Sequence, residues 1–197
     1  VLTEELVTLR DLLKSEGVEE CAMESTSIYW MPIWRVLETS VKLHLVNPYF
    51  IKQLPGKKSD VKDAEWIATC LLNNLIASSF VPDEKIQRLR QYDRRIFDLN
   101  ASISRNLVKL DQCIQRCNIR ISNYISTTDS KGYRSIVKLI SQGVTDASVL
   151  VGQLHGRTIN KHGKETLTKA LPGVVNDTDI DIIAQLVEEI DMQQRHK

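Results

Sequence analysis

Residues 18–26, Val18-Glu19-Glu20-Cys21-Ala22-Met23-Glu24-Ser25-Thr26, stand between two stretches of helical periodicity. Val18–Met23 reads as a short strand that ends at Glu24. Upstream, Thr3 precedes Glu4 and Glu5, Leu6, Leu9, Leu12 and Leu13 recur at helical spacing, and Gly17 follows the last turn. That pattern predicts a helix capped at Thr3, amphipathic and suited to packing on a sheet. Downstream, Ser25 and Thr26 are N-cap candidates for a second helix reaching about Thr39, with Tyr29, Ile33, Val36 and Leu37 on its apolar face. Val41-Lys42-Leu43-His44-Leu45-Val46 then reads as a second strand, stopped by Asn47-Pro48. Helix, strand, helix, strand is an α/β order and implies a parallel sheet.

Residues 47–59 hold Pro48, Pro55, Gly56 and three lysines, a loop with a polar purpose. A third helix is expected from Asp60 to about Asn74, with Val61, Ala64, Ile67, Ala68 and Leu71 on one face, and Ile76–Val81 is a candidate strand closed by Pro82. From Asp83 the pattern changes. Ile86, Leu89, Ile96, Leu99, Ile103, Leu107, Leu110, Ile114, Cys117 and Ile121 recur at threes and fours, with no Gly or Pro before Gly132. This predicts a helix of roughly 35–40 residues, long enough for a coiled coil or a helical hairpin, its stripe buried against a second copy or a returning helix. Beyond Tyr133, glycines break the chain into short helices, of which Val144–Leu154 and Ile180–Met192 are the clearest. The expected divisions are 1–82, 83–130 and 131–197: α/β first, then all-α.

With 197 residues, 42% hydrophobic and 26% charged, the chain can bury a real core and is not disordered as a whole. No stretch suits a membrane span and no leader is visible, so a cytoplasmic protein is expected. Cys21, Cys70, Cys113 and Cys117 lie in apolar-periodic segments and read as buried free thiols rather than a zinc site. The net charge of +1 hides a division: residues 1–84 carry −5, residues 85–138 carry +8 and residues 139–197 carry −2. A polyanion would bind the basic middle, where Arg94, Arg95 and Arg105 fall on the exposed face of the long helix. Tyr92, Phe97 and Tyr124 interleave with arginines on the long helix, which suits base stacking or dimer packing; Trp30, Trp34 and Trp66 read as packing residues. The histidines show no ligand spacing.

Glu24 stands at a strand's C-terminal end, where α/β sheets build sites. Asp60 and Asp63, three apart, project from one face of a helix's first turn. Three such carboxylates could hold a hard divalent cation, Mg²⁺ or Mn²⁺. On spacing alone, helix capping and dipole compensation explain the two aspartates better. Lys57, Lys58 and Lys62 surround the pair and either hold a phosphate or are simply solvated.

The longer string overturns the capping reading. Met23-Glu24-Ser25-Thr26-Ser27-Ile28-Tyr29, then Val46-Asn47-Pro48, then Lys58-Ser59-Asp60-Val61-Lys62-Asp63-Ala64 closely resembles the N-terminal region of the DEDD transposases of insertion-sequence family 110, relatives of the Piv-type invertases. The resemblance covers residues 1 to about 130. It implies a RuvC-like, ribonuclease-H-type domain, here partial, followed by a long helical coiled coil. It places Glu24, Asp60 and Asp63 on the second, third and fourth acids of the DEDD set, as catalytic, metal-holding residues. No residue matches the first acid or the family's catalytic serine, and the chain, which starts at Val1, reads as a piece trimmed at both ends. The activity implied is metal-assisted DNA strand transfer in transposition, in a bacterial or archaeal cell, with DNA, a structured guide RNA and a second copy as partners. The alternative is a non-catalytic, nucleic-acid-binding or dimerising remnant of a mobile element.

Overall fold

A computed structural model describes residues 2–49 and 60–197, with only the backbone of Asp60, Val61 and Lys62. It divides into two compact units, Val1–Glu84 and Lys85–Lys197. The first contains α1 (Thr3–Ser15), β1 (Glu20–Glu24), α2 (Trp30–Leu37), β2 (Lys42–Val46) and α3 (Asp60–Leu72). β1 and β2 pair in parallel, Glu20 opposite Lys42 and Glu24 opposite Val46, so the expected α/β order is realised. Parallel neighbours need a crossover, which α2 supplies. Among the described residues of this unit, Leu6, Leu37, Val41, Leu45, Val46 and Cys70 form the buried apolar core.

Three local expectations need correction. Thr3 is already helical; the Leu2 N–H donates to Glu5 Oε2 at 2.6 Å, so a carboxylate rather than the Thr3 hydroxyl caps α1. Ser25 and Thr26 do not cap α2, which starts at Trp30. Ser27 lies at φ +48, a left-handed conformation that a helix cannot continue through, and the Thr26 hydroxyl turns to Glu24 instead. Ile76–Val81 makes a single antiparallel bridge, Val46 to Ser78, with the Ser79 N–H on the Leu45 carbonyl at 2.7 Å. One bridge is too short to count as a strand.

The second unit is helical: α4 (Glu84–Arg116), a 3₁₀ turn (Ile121–Tyr124), α5 (Lys131–Ile140), α6 (Ala147–Val151), α7 (Gly156–His162), α8 (Lys164–Lys169) and α9 (Asp177–Arg195). α4 has 33 residues and stops short of the expected length because Asn118 takes φ +64. The Asn118 N–H then reaches the Gln115 carbonyl at 3.0 Å and the Ile119 N–H the Ile114 carbonyl at 3.1 Å, which closes the helix and turns the buried Ile119 inward. From Leu99 to Ile114 the apolar stripe is buried, and Ile103, Leu107, Leu110 and Ile114 share one core with Tyr133, Ile136, Ile183 and Ile190. The returning helices of the same chain therefore cover this half of the stripe. Each fully buried Ile or Leu contributes about 1.5–3 kcal/mol relative to an exposed one.

Polar groups at the edge of this core are paired. The buried Tyr133 donates its hydroxyl to Asp111 at 2.8 Å, and buried Asn106 donates to Glu189 at 3.0 Å. Arg116 holds Asp179 at 2.6 Å, while Asp179 and Asn176 exchange backbone-to-side-chain bonds that cap α9. The Arg116 guanidinium first, and then the Asn176 N–H, keep the Asp179 carboxyl below its ordinary value of 3.8. A depressed carboxyl stabilises above its unfolded value and ceases to do so as pH falls through the folded one. We expect Asp179→Asn to melt lower than the parent at neutral pH, with the gap closing as pH falls below the ordinary carboxyl value of 3.8. A gap unchanged at acid pH in thermal melts would contradict this.

All four cysteines are free thiols, but only Cys70 and Cys117 are buried; Cys21 and Cys113 are half-buried. Burial, reinforced by Asp179, pushes the Cys117 thiol up to about 11. No helix among the described residues is long and apolar enough to cross a membrane.

Candidate functional site

In a parallel pair, register partners share a face, so Glu20, Ala22 and Glu24 lie on the same side as Lys42, His44 and Val46. Glu24 ends β1, is half-buried, and accepts the Thr26 hydroxyl on Oε1 at 2.7 Å. The Ser25 N–H continues the ladder onto the Val46 carbonyl at 2.8 Å, which fixes the backbone just beyond Glu24. α3 packs against β1 and begins at Asp60, so both aspartates belong to its first turn; Asp63 is exposed. Strand and helix thus pack together within one unit. The side chains of Asp60 and Lys62, and all of Lys57 and Lys58, lie outside the described residues. Among the described residues no group of three or more His, Cys, Asp and Glu is arranged to hold a metal; the expected trio includes Asp60.

Sequence spacing gave His44 no role, yet it ties three segments together. One ring nitrogen lies 2.7 Å from Glu20 and the other 2.6 Å from the Ser78 hydroxyl. Lys42 also contacts Glu20 at 2.9 Å, and Lys42 and then His44 hold the Glu20 carboxyl below the usual carboxylate range. Only the strand register places these groups together; their sequence separation carries no signal.

On α4, Arg94 and Arg95 are exposed, and Arg105 is exposed with one bond to the Ser102 hydroxyl at 2.9 Å. Tyr92 and Phe97 are about 70% exposed, 70% and 71% respectively. Tyr124 is not on the long helix but in the 3₁₀ turn, half-buried against His162. Trp30 and Trp34 pack edge to face at 5.9 Å and Trp66 is half-buried, in keeping with packing roles.

A family profile described as Transposase, of the IS110 DEDD type, matches residues 3–119. The chain belongs to the IS110 DEDD transposase family. The matched span of this transposase takes in Glu24, Asp60, Asp63 and all of α4, and it ends beside Asn118, where that helix is closed. No curated protein and no solved structure is significantly similar to it.

Proposed function

We propose that this transposase chain carries the carboxylate and nucleic-acid-binding parts of a metal-assisted DNA strand-transfer machine, built on a RuvC-like domain. The observation that supports this most is that the strand ending at Glu24 packs against the helix opening with Asp60 and Asp63. These three residues would hold Mg²⁺ or Mn²⁺, since an all-carboxylate set suits a hard cation that keeps water or phosphate among its ligands. Bound there, the ion would neutralise charge developing on the phosphodiester. Glu24 is preset by the Thr26 hydroxyl, and Lys57, Lys58 and Lys62 would hold the phosphate beside the carboxylates. Arg94, Arg95 and Arg105 would bind DNA or a structured guide RNA along α4. The exposed Leu89, Tyr92 and Phe97 on the same helix suit coiled-coil contact with a second copy.

Binding of Mn²⁺ to the purified chain, read by isothermal titration, tests the site. Asp60→Asn and Asp63→Asn should each weaken it roughly tenfold or more, with metal-free melting unchanged. Equal affinity in parent and variants would remove the metal site and favour the non-catalytic, nucleic-acid-binding alternative.

A further inference from the structure

We infer that the α7–α8 corner of the second unit is a separate surface for the phosphodiester backbone of nucleic acid, beyond the residues of the family match. Gly163, at φ +80, is the single residue between α7 and α8, and that left-handed conformation lets the two short helices turn directly into one another. The turn gathers charge. Arg157 and Lys161 sit one helical turn apart on α7, and Lys164 opens α8; all three are exposed. The Arg120 N–H donates to the Ala170 carbonyl at 2.8 Å, which brings exposed Arg120 to the end of α8. The Tyr124 and His162 rings, with centroids 5.4 Å apart, bind the 3₁₀ turn to the end of α7.

Over 118–124 and 155–170 there are five cations, Arg120, Arg157, Lys161, Lys164 and Lys169, against the lone carboxylate Glu165, which pairs with Lys169 at 2.7 Å. The surrounding sequence is the reverse: α9 carries six acidic residues and one basic one. The +8 of the long middle segment therefore does not account for this corner, which falls mostly in the segment whose net charge is −2.

The kind of partner follows from what the corner lacks. None of the large exposed hydrophobic residues of the described chain falls within 118–124 or 155–170. A protein interface needs buried apolar anchors, whereas phosphate binding needs cations and polar donors alone. Asn123 and Asn160 supply exposed polar donors beside the cations. Exposed Gly156 leaves open space where a side chain would stand, so a backbone can approach α7 closely.

The inference rests on the reading that this chain handles nucleic acid, and one experiment separates the two. Fluorescence anisotropy of the whole chain is measured with a labelled DNA duplex of about 20 base pairs and with an RNA hairpin of similar stem, between roughly 50 and 200 mM salt. The variant Arg157→Gln/Lys161→Gln/Lys164→Gln should lower the salt slope by about 2–3, so its affinity falls roughly 40-fold less across that range. Arg157→Lys should keep the parent slope, and unchanged circular-dichroism melts show that the variants fold. The nucleic acid whose slope changes is the one the corner binds. An unchanged slope for both, in a chain that still binds through Arg94, Arg95 and Arg105, overturns this surface and leaves the transposase reading standing. Parent protein that binds neither overturns both.

Discussion

Gly173→Ala should destabilise the second unit by about 2–3 kcal/mol and lower its melting transition by roughly 10 °C. A Cβ at this position would lie 2.5 Å from Ile119 Cγ1 and closer still to the Cys117 carbonyl oxygen. Neither neighbour can yield. The Cys117 carbonyl also accepts the Val174 N–H at 2.8 Å, and Ile119 is 2% exposed in the core. The close approach lets the chain after α8 cross the closed end of α4 and feed Asn176, the cap of α9. Gly156→Ala is the control: its added Cβ meets nothing within 4 Å, so the change should stay within about 0.5 kcal/mol. Equal melting of the two variants by calorimetry would show that the crossing relaxes freely.

The same crossing explains what was and was not legible in the sequence. The α/β order of the first unit followed from short apolar runs bounded by Gly17, Ser25 and Asn47-Pro48, because local chemistry sets those boundaries. The length of α4 did not. Residues 113–121 keep helical spacing, and Asn118 is a weak stop signal until Ile119 and Gly173 pack on the reversed chain. The start of α2 failed for the opposite reason. Ser25 and Thr26 are good caps in isolation, but Glu24 lies within reach of the Thr26 hydroxyl and takes it.

The site was legible in parts. Glu24 at a strand end and Asp60 and Asp63 at a helix start were candidates by order and spacing, but spacing alone favoured capping and only the family resemblance gave them a metal-holding role; α3 does pack on β1. The clustering of Glu20, Lys42, His44 and Ser78 could not, because it arises from register across three chain segments rather than from any motif. The corner at Gly163 was hidden similarly. Its cations are spaced over some fifty residues, and net charge counted along the chain averages them with the acidic α9.

Reversing charge at Arg94, Arg95 and Arg105 to Glu should weaken nucleic-acid binding by on the order of 100-fold or more at moderate salt, and lower the salt slope by about 3. Each change removes a cation and adds an anion, so repulsion from the phosphates adds to the lost contacts. Stability should hardly move: all three residues are exposed, and Arg105 gives up only a surface bond to Ser102. Leu99 and Ile103, which anchor this part of α4 in the core, are untouched. Anisotropy titrations with parent and variant, alongside thermal melts, measure both quantities. If α4 and the α7–α8 corner contact one nucleic acid independently, combining the two sets of substitutions should add their slope changes within error. Full retention of affinity in the triple variant would remove α4 from the interface and leave its exposed Tyr92 and Phe97 to contact with a second copy.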